Sequence, residues 1–168
     1  LNCQCGKRWS MPSELHSELS ERALIWLGAR ATAWGIRGAT EVWVAPGYVV
    51  DALAIGSLQS RFARKYRSAS DLRPEYCEGG VFVFEVKVSR ADFWGTFKES
   101  SQKHANRQLP IGALHWIVTP RGLVTPDEVP SFWGLLEIRG SGLCEVRPPL
   151  QQPITESEKH RLAYCLLM

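Results

Sequence analysis

The run Val81-Phe82-Val83-Phe84-Glu85-Val86-Lys87-Val88-Ser89 sets one carboxylate and one ammonium at the end of an otherwise apolar, β-branched and aromatic stretch. Such a stretch reads as a buried strand. A strand alternates its faces with a period of two. Glu85 and Lys87 therefore point the same way as Val81 and Val83, while Phe82, Phe84, Val86 and Val88 take the other face. Opposite charges on a buried strand cost free energy to desolvate, so they need partners or a chemical role.

Upstream, Tyr48-Val49-Val50-Asp51-Ala52-Leu53-Ala54-Ile55 is a second apolar, strand-like run with one acid in it. If the two runs are neighbours in one sheet, Asp51 and Glu85 converge on one cation, with Lys87 beside them. Two hard carboxylates suit Mg²⁺, which keeps several waters and also takes phosphate oxygens; Mn²⁺ accepts the same ligands. Lys87 could orient a water or neutralise charge on a phosphate. These parts suffice for phosphodiester hydrolysis. The plainer reading makes Asp51 a strand-ending acid and Glu85–Lys87 a cross-strand ion pair on a wet face. The apolar neighbours of all three residues argue against it.

The rest of the chain has a simple order. Ser13 to about Arg30 reads as a helix, with Leu15, Leu19, Ala23, Trp26 and Leu27 at helical spacing and the Gly35–Gly38 stretch beyond its end. Thr40–Val44 and Tyr48–Ile55 form a hairpin through Ala45-Pro46-Gly47. A polar, Arg-rich connection runs from Gly56 to Gly80, and Val81–Val88 is the third strand. A second helix runs from Arg90 to about Gln108, and Leu114–Thr119 is a fourth strand. Gly134–Arg139 and Gly142–Arg147 make a later hairpin. Thr155-Glu156-Ser157-Glu158 opens a last helix, to about Leu167, as a capping box.

Asp51 … Glu85-Val86-Lys87 resembles the D…(D/E)xK signature of the PD-(D/E)xK nuclease superfamily, whose fold is restriction-endonuclease-like. The segment Glu85-Val86-Lys87-Val88-Ser89-Arg90-Ala91-Asp92-Phe93, followed by Lys98, resembles the EVK-S-x-x-DF…K segment of MmcB-type DNA-repair nucleases and related phage proteins. Val118-Thr119-Pro120-Arg121-Gly122-Leu123 and Val129-Pro130-Ser131-Phe132-Trp133-Gly134-Leu135-Leu136 resemble that group's ending. The likeness runs from about His16 to about Arg139. No proline directly precedes Asp51, and Thr96 stands where the MmcB-like helix carries a second Asp.

The resemblance implies an α/β fold with a restriction-endonuclease-like core in the order α-β-β-β-α-β, its mixed central sheet flanked by helices. It implies a single domain with its core at about 13–139 and a C-terminal hairpin and helix beyond. It also implies a deoxyribonuclease dependent on Mg²⁺ or Mn²⁺, acting in bacterial or phage DNA repair, recombination or processing. Asp51, Glu85 and the Val86 carbonyl would be ligands and Lys87 the water-positioning residue. Family members often add an acid on the preceding strand, here Glu41, or on the first helix, here Glu18 or Glu21; each is also an ordinary exposed acid. DNA is the implied partner, and paired cuts on a duplex would need a homodimer. The alternative is a non-catalytic DNA-binding or adaptor protein on the same scaffold, which the intact Asp51/Glu85/Lys87 set disfavours.

DNA contacts have two further sources. Ser89 and Arg90 sit where the third strand ends, and Lys98, Gln102 and Asn106 share one face of the second helix. Arg61, Arg64, Lys65, Arg67 and Arg73 interleave with Phe62 and Tyr66, a mixture suited to phosphates and stacked bases. Both sets would equally serve as solvated faces. The net charge of +3 permits such binding without demanding it. Five cysteines without framework spacing, and no signal peptide or long apolar run, point to a reducing cytoplasm and no membrane span. Cys3 and Cys5 have no second pair with which to complete a zinc site. The four histidines show no metal-binding spacing, and no glycine-rich phosphate loop is present.

Overall fold

The Ser13 side chain accepts a hydrogen bond from the His16 backbone N–H at 3.2 Å, capping helix α1 (Glu14–Gly28). The computed structural model describes residues 13–45, 48–59, 80–96, 113–152 and 154–167, with backbone alone at 32–34 and 45. After α1 come β1 (Ala31–Ala45), β2 (Tyr48–Leu58), β3 (Gly80–Val86), α2 (Arg90–Thr96) and β4 (Leu114–Thr119). A short 3₁₀ turn (Pro126–Glu128), the hairpin of β5 (Gly134–Arg139) and β6 (Gly142–Arg147), and α3 (Glu156–Cys165) follow among the described residues. Arg61, Arg64, Lys65, Arg67 and Arg73, together with Lys98, Gln102, Asn106, Cys3 and Cys5, lie outside the described residues.

The strands of the described residues form one six-stranded mixed sheet in sequential order, β1-β2-β3-β4-β5-β6. β3–β4 and β4–β5 pair in parallel and the other neighbours are antiparallel. Phe82, Phe84 and Val86 of β3 pack with Leu19, Ala23, Trp26 and Leu27 of α1 and with Trp116 of β4. Phe84 stacks on Trp116, and Trp26 meets that indole edge-on. Val81 and Val83 take the opposite face with Leu162 of α3. Phe93 of α2 covers Ile117 and Leu135 there. The face assignment read from the period of β3 therefore holds. Leu15 stays exposed, and the buried stripe of α1 begins at Leu19.

β2 runs on to Leu58, past the expected Ile55, and β3 spans Gly80–Val86, short of the expected Val88. Two further strand readings change. β1 begins at Ala31, well before the expected Thr40, so the Gly35–Gly38 stretch lies inside the strand and not in a turn. The pairing slips between Ala31 and Ile36, where Gly35 has φ 76°, so this glycine marks a bulge. At Gly38, a Cβ would meet Leu24 of α1 at 2.7 Å; the glycine lets helix and strand approach. The second change is a loss of strict alternation at Asp51. Ala52 and Ala54 belong to the α1 face, but Val50 and Tyr48 lie with Leu53 on the α3 face. The partner strand makes the same switch. The pairs Thr40↔Ala52 and Val42↔Val50 set Glu41 opposite Asp51, and Glu41 has a left-handed φ of 54°.

Arg147, at the end of β6, ties down the segment that carries the 3₁₀ turn. Its guanidinium donates to the carbonyls of Pro126, Val129, Pro130 and Ser131 at 2.6–3.1 Å. Four carbonyls satisfied by one planar fork is a task a lysine performs poorly. Arg147→Ala is expected to lower unfolding free energy by about 2–3 kcal/mol. Arg147→Lys should recover only part of that, as read from urea denaturation.

Candidate functional site

Asp51, Glu85 and Lys87 meet at the end of the β2–β3 ladder. The last registered pair is Ala52↔Phe84, so Asp51 and Glu85 occupy the next rung. Lys87 N–H bonds to the Val118 carbonyl on β4 at 2.9 Å, which turns the neighbouring Val86 N–H toward β2. There the acceptor is the Asp51 carboxylate: Val86 N–H donates to Oδ2 at 2.6 Å. Asp51 thus takes the place of a ladder carbonyl, with the greater strength of a charged acceptor.

The Lys87 ammonium is 4% exposed and lies 3.4 Å from Glu85 Oε2, 3.9 Å from Asp51 Oδ2 and 3.9 Å from Asp92 Oδ1. Glu85 is fully buried, and the Tyr48 hydroxyl donates to its Oε1 at 3.3 Å. Isolated, either charge would cost several kcal/mol to bury. Together, carboxylates from β2, β3 and α2 surround one cation. The register places Thr119 beside Lys87 and Glu137 beside Thr119, continuing a polar row across the ends of the parallel strands. Glu137 accepts from the Gly122 N–H.

His16 reaches the site from α1. Its Nε2 lies 3.4 Å from Asp51 Oδ1. The pKa of His16 is raised from the usual 6.5, chiefly by the hydrogen bond to Asp51, then by the negative charges of Asp51 and Asp92; burial and the Lys87 charge oppose this.

Ser89 and Arg90 support α2. The Ser89 hydroxyl accepts from the Asp92 N–H at 3.1 Å, a helix cap. Arg90 grips Glu128 with two bonds of 2.9 and 2.6 Å, donates to the Leu123 carbonyl and lies over Trp94. Both residues thus brace the helix that brings Asp92 to Lys87. Glu41 is exposed, Glu18 pairs with Arg22 on the surface of α1, and Glu21 is exposed. Among the described residues, none of these three acids forms a hydrogen bond or ion pair with Asp51, Glu85 or Lys87, so the helix contribution comes from His16 instead.

Sequence reasoning passed over three members of this site: His16, Tyr48 and Asp92. A signal for His16 was present, because it lies one turn before Leu19 and Ser20 on the buried stripe of α1. Tyr48 and Asp92 reach their partners through packing between elements, which local spacing does not encode.

The fold resembles a solved structure, the SPO1766 protein of unknown function from Silicibacter pomeroyi. The TM-score is 0.56 at 19% sequence identity, covering 89% of this chain and 84% of that one. At this identity the likeness speaks for the fold. No family model matches the chain, and no curated protein matches it.

The His16–Asp51 pair makes stability depend on pH. A histidine whose pKa is raised on folding contributes stability that is complete below its unfolded value and is lost as pH rises through the folded one. His16→Gln should therefore cost more stability at about pH 6 than at about pH 9. Urea unfolding of both chains across that range checks this; a difference that grows with pH would contradict the pairing.

Proposed function

We propose that this protein is a divalent-metal-dependent deoxyribonuclease on a restriction-endonuclease-like scaffold. The observation that carries the reading is the convergence of Asp51 and Glu85, from adjacent strands, on the single ammonium of Lys87. The element order α1-β1-β2-β3-α2-β4 also follows the sequence expected of that scaffold.

The donor set fits Mg²⁺ or Mn²⁺. Among the described residues no three His, Cys, Asp or Glu side chains gather as a ready ion cage. Mg²⁺ does not need one, since one or two carboxylates suffice when water and substrate phosphate supply the other oxygens. Asp51, Glu85 and the Val86 carbonyl would hold the ion, which when bound lowers the pKa of water and polarises the phosphoryl group. The remaining work falls to the chain's own groups. The Val86 N–H holds one oxygen of Asp51, and Tyr48 holds one oxygen of Glu85. Lys87 lies beside both carboxylates, where it can orient the attacking water and offset charge on the phosphate. DNA as substrate is supported by the basic, aromatic-interleaved run of Arg61, Arg64, Lys65 and Arg67, and by Lys98 and Gln102.

One observation favours the alternative of a DNA-binding scaffold without catalysis. Lys87 already has carboxylate partners, and Glu85 and Lys87 are both buried. The test is cleavage of labelled single-stranded, duplex and branched DNA with Mg²⁺, Mn²⁺ or EDTA. Asp51→Asn and Lys87→Gln are run beside the wild type, with melting curves to confirm folding. The nuclease reading expects metal-dependent cutting that each substitution lowers by about 100-fold or more. Salt-sensitive DNA binding without cutting, retained by both variants, would put the binding scaffold in its place.

A further inference from the structure

We infer that His16 is a positioning residue that fixes the plane of the Asp51 carboxylate; its purpose, though not its geometry, rests on reading Asp51 as a metal ligand. A carboxylate turns easily about its last torsion, because such terminal torsions are broad and nearly two-fold. Partners on one oxygen alone leave the other able to swing. Asp51 has contacts on both oxygens from different elements: the Val86 N–H of β3 and, farther off, Lys87 Nζ at Oδ2, and His16 Nε2 of α1 at Oδ1. The Oδ1 contact turns a tethered acid into an oriented one. This matters for hydrolysis, where a small misplacement of a ligand costs much of the rate.

The placement of His16 is itself built in. Its backbone N–H is held by Ser13, and its carbonyl accepts from the buried Ser20 hydroxyl at 3.0 Å. The other ring nitrogen, Nδ1, is buried with no hydrogen-bond partner among the described residues. A ring kept only to fill space would be better served by an apolar side chain, since a buried imidazole nitrogen without a partner costs free energy. The contact that offsets this cost is the one to Asp51.

The test reads the Asp51–Val86 bond directly, by amide hydrogen exchange in the metal-free full chain. Val86 N–H depends on Asp51, whereas Lys87 N–H, one residue on, bonds to β4 and does not. With His16→Ala, exchange at Val86 should rise about tenfold while Lys87 is unchanged. His16→Gln, which keeps an N–H donor, should restore most of the protection. If both amides accelerate together, or neither does, the positioning role is overturned.

Mn²⁺ binding to the same chains by calorimetry tests the purpose separately. His16→Ala should weaken it about tenfold, and Asp51→Asn more. Unchanged binding in His16→Ala would overturn a role in the metal site. If the wild type binds no Mn²⁺, the nuclease reading fails while the exchange result still decides the positioning.

Discussion

A lysine buried among carboxylates is the constraint that shapes this end of the molecule. Asp51, Glu85 and Asp92 arrive on β2, β3 and α2, and Lys87 lies within 4 Å of all three. Without the ammonium the fully buried Glu85 would keep only the Tyr48 hydroxyl among these partners, and breaking a buried ion pair of this kind costs about 3–5 kcal/mol. The junction is therefore closed by charge, whereas the middle of the sheet is closed by apolar contact around Phe84, Trp116 and Trp26. Charge demands specific partners, while apolar packing accepts any good fit. That difference makes this end the part of the fold where residue identity matters most.

The outer member of the cluster depends on supports well away from it. Asp92 lies in the first turn of α2, and side chains fix the start of that helix. Ser89 caps it and Arg90 clamps its start to Glu128. The Glu128 carboxyl is held down to about 2, first by Arg90 and then by the Thr125 N–H, so the clamp stays charged throughout the neutral range and weakens only as pH falls toward that value. Glu128 in turn sits on the turn that Arg147 pins through the carbonyls of Pro126 and Val129. A line of side-chain bonds thus runs from the last strand of the sheet to the ammonium of Lys87.

Much of this was visible in the residues. The bounds of β4, the capping box of α3 and the two faces of β3 follow from local spacing, because each reflects a single element and its solvent. Asp51, Glu85 and Lys87 could be found because an ion in an apolar strand is costly enough to stand out. The early start of β1 was hidden, since glycines that permit a bulge and a close helix approach look like those of a turn. His16 and Asp92 acquire their meaning only from how α1 and α2 settle on the sheet. Glu18 and Glu21 carry the expected chemistry but lie outside the buried stripe of α1.

The face switch at Asp51 explains how an acid can sit inside so apolar a strand. Had β2 kept its alternation, the carboxylate would have pointed into one of the two hydrophobic layers, at a cost of several kcal/mol. Because β1 and β2 turn over together at the Glu41–Asp51 rung, the side chain is directed to the edge of β3 instead, where the Val86 N–H needs an acceptor. The acid and the strand end satisfy each other. From that position Asp51 meets His16 from the α1 layer and Lys87 from the side covered by α2, so one carboxylate joins both layers of the molecule across the end of its sheet. A neutral isostere at position 51 could keep the bond to Val86, but it would leave Lys87 with one fewer negative partner and His16 with a weaker one. The two layers would then be held together there less tightly.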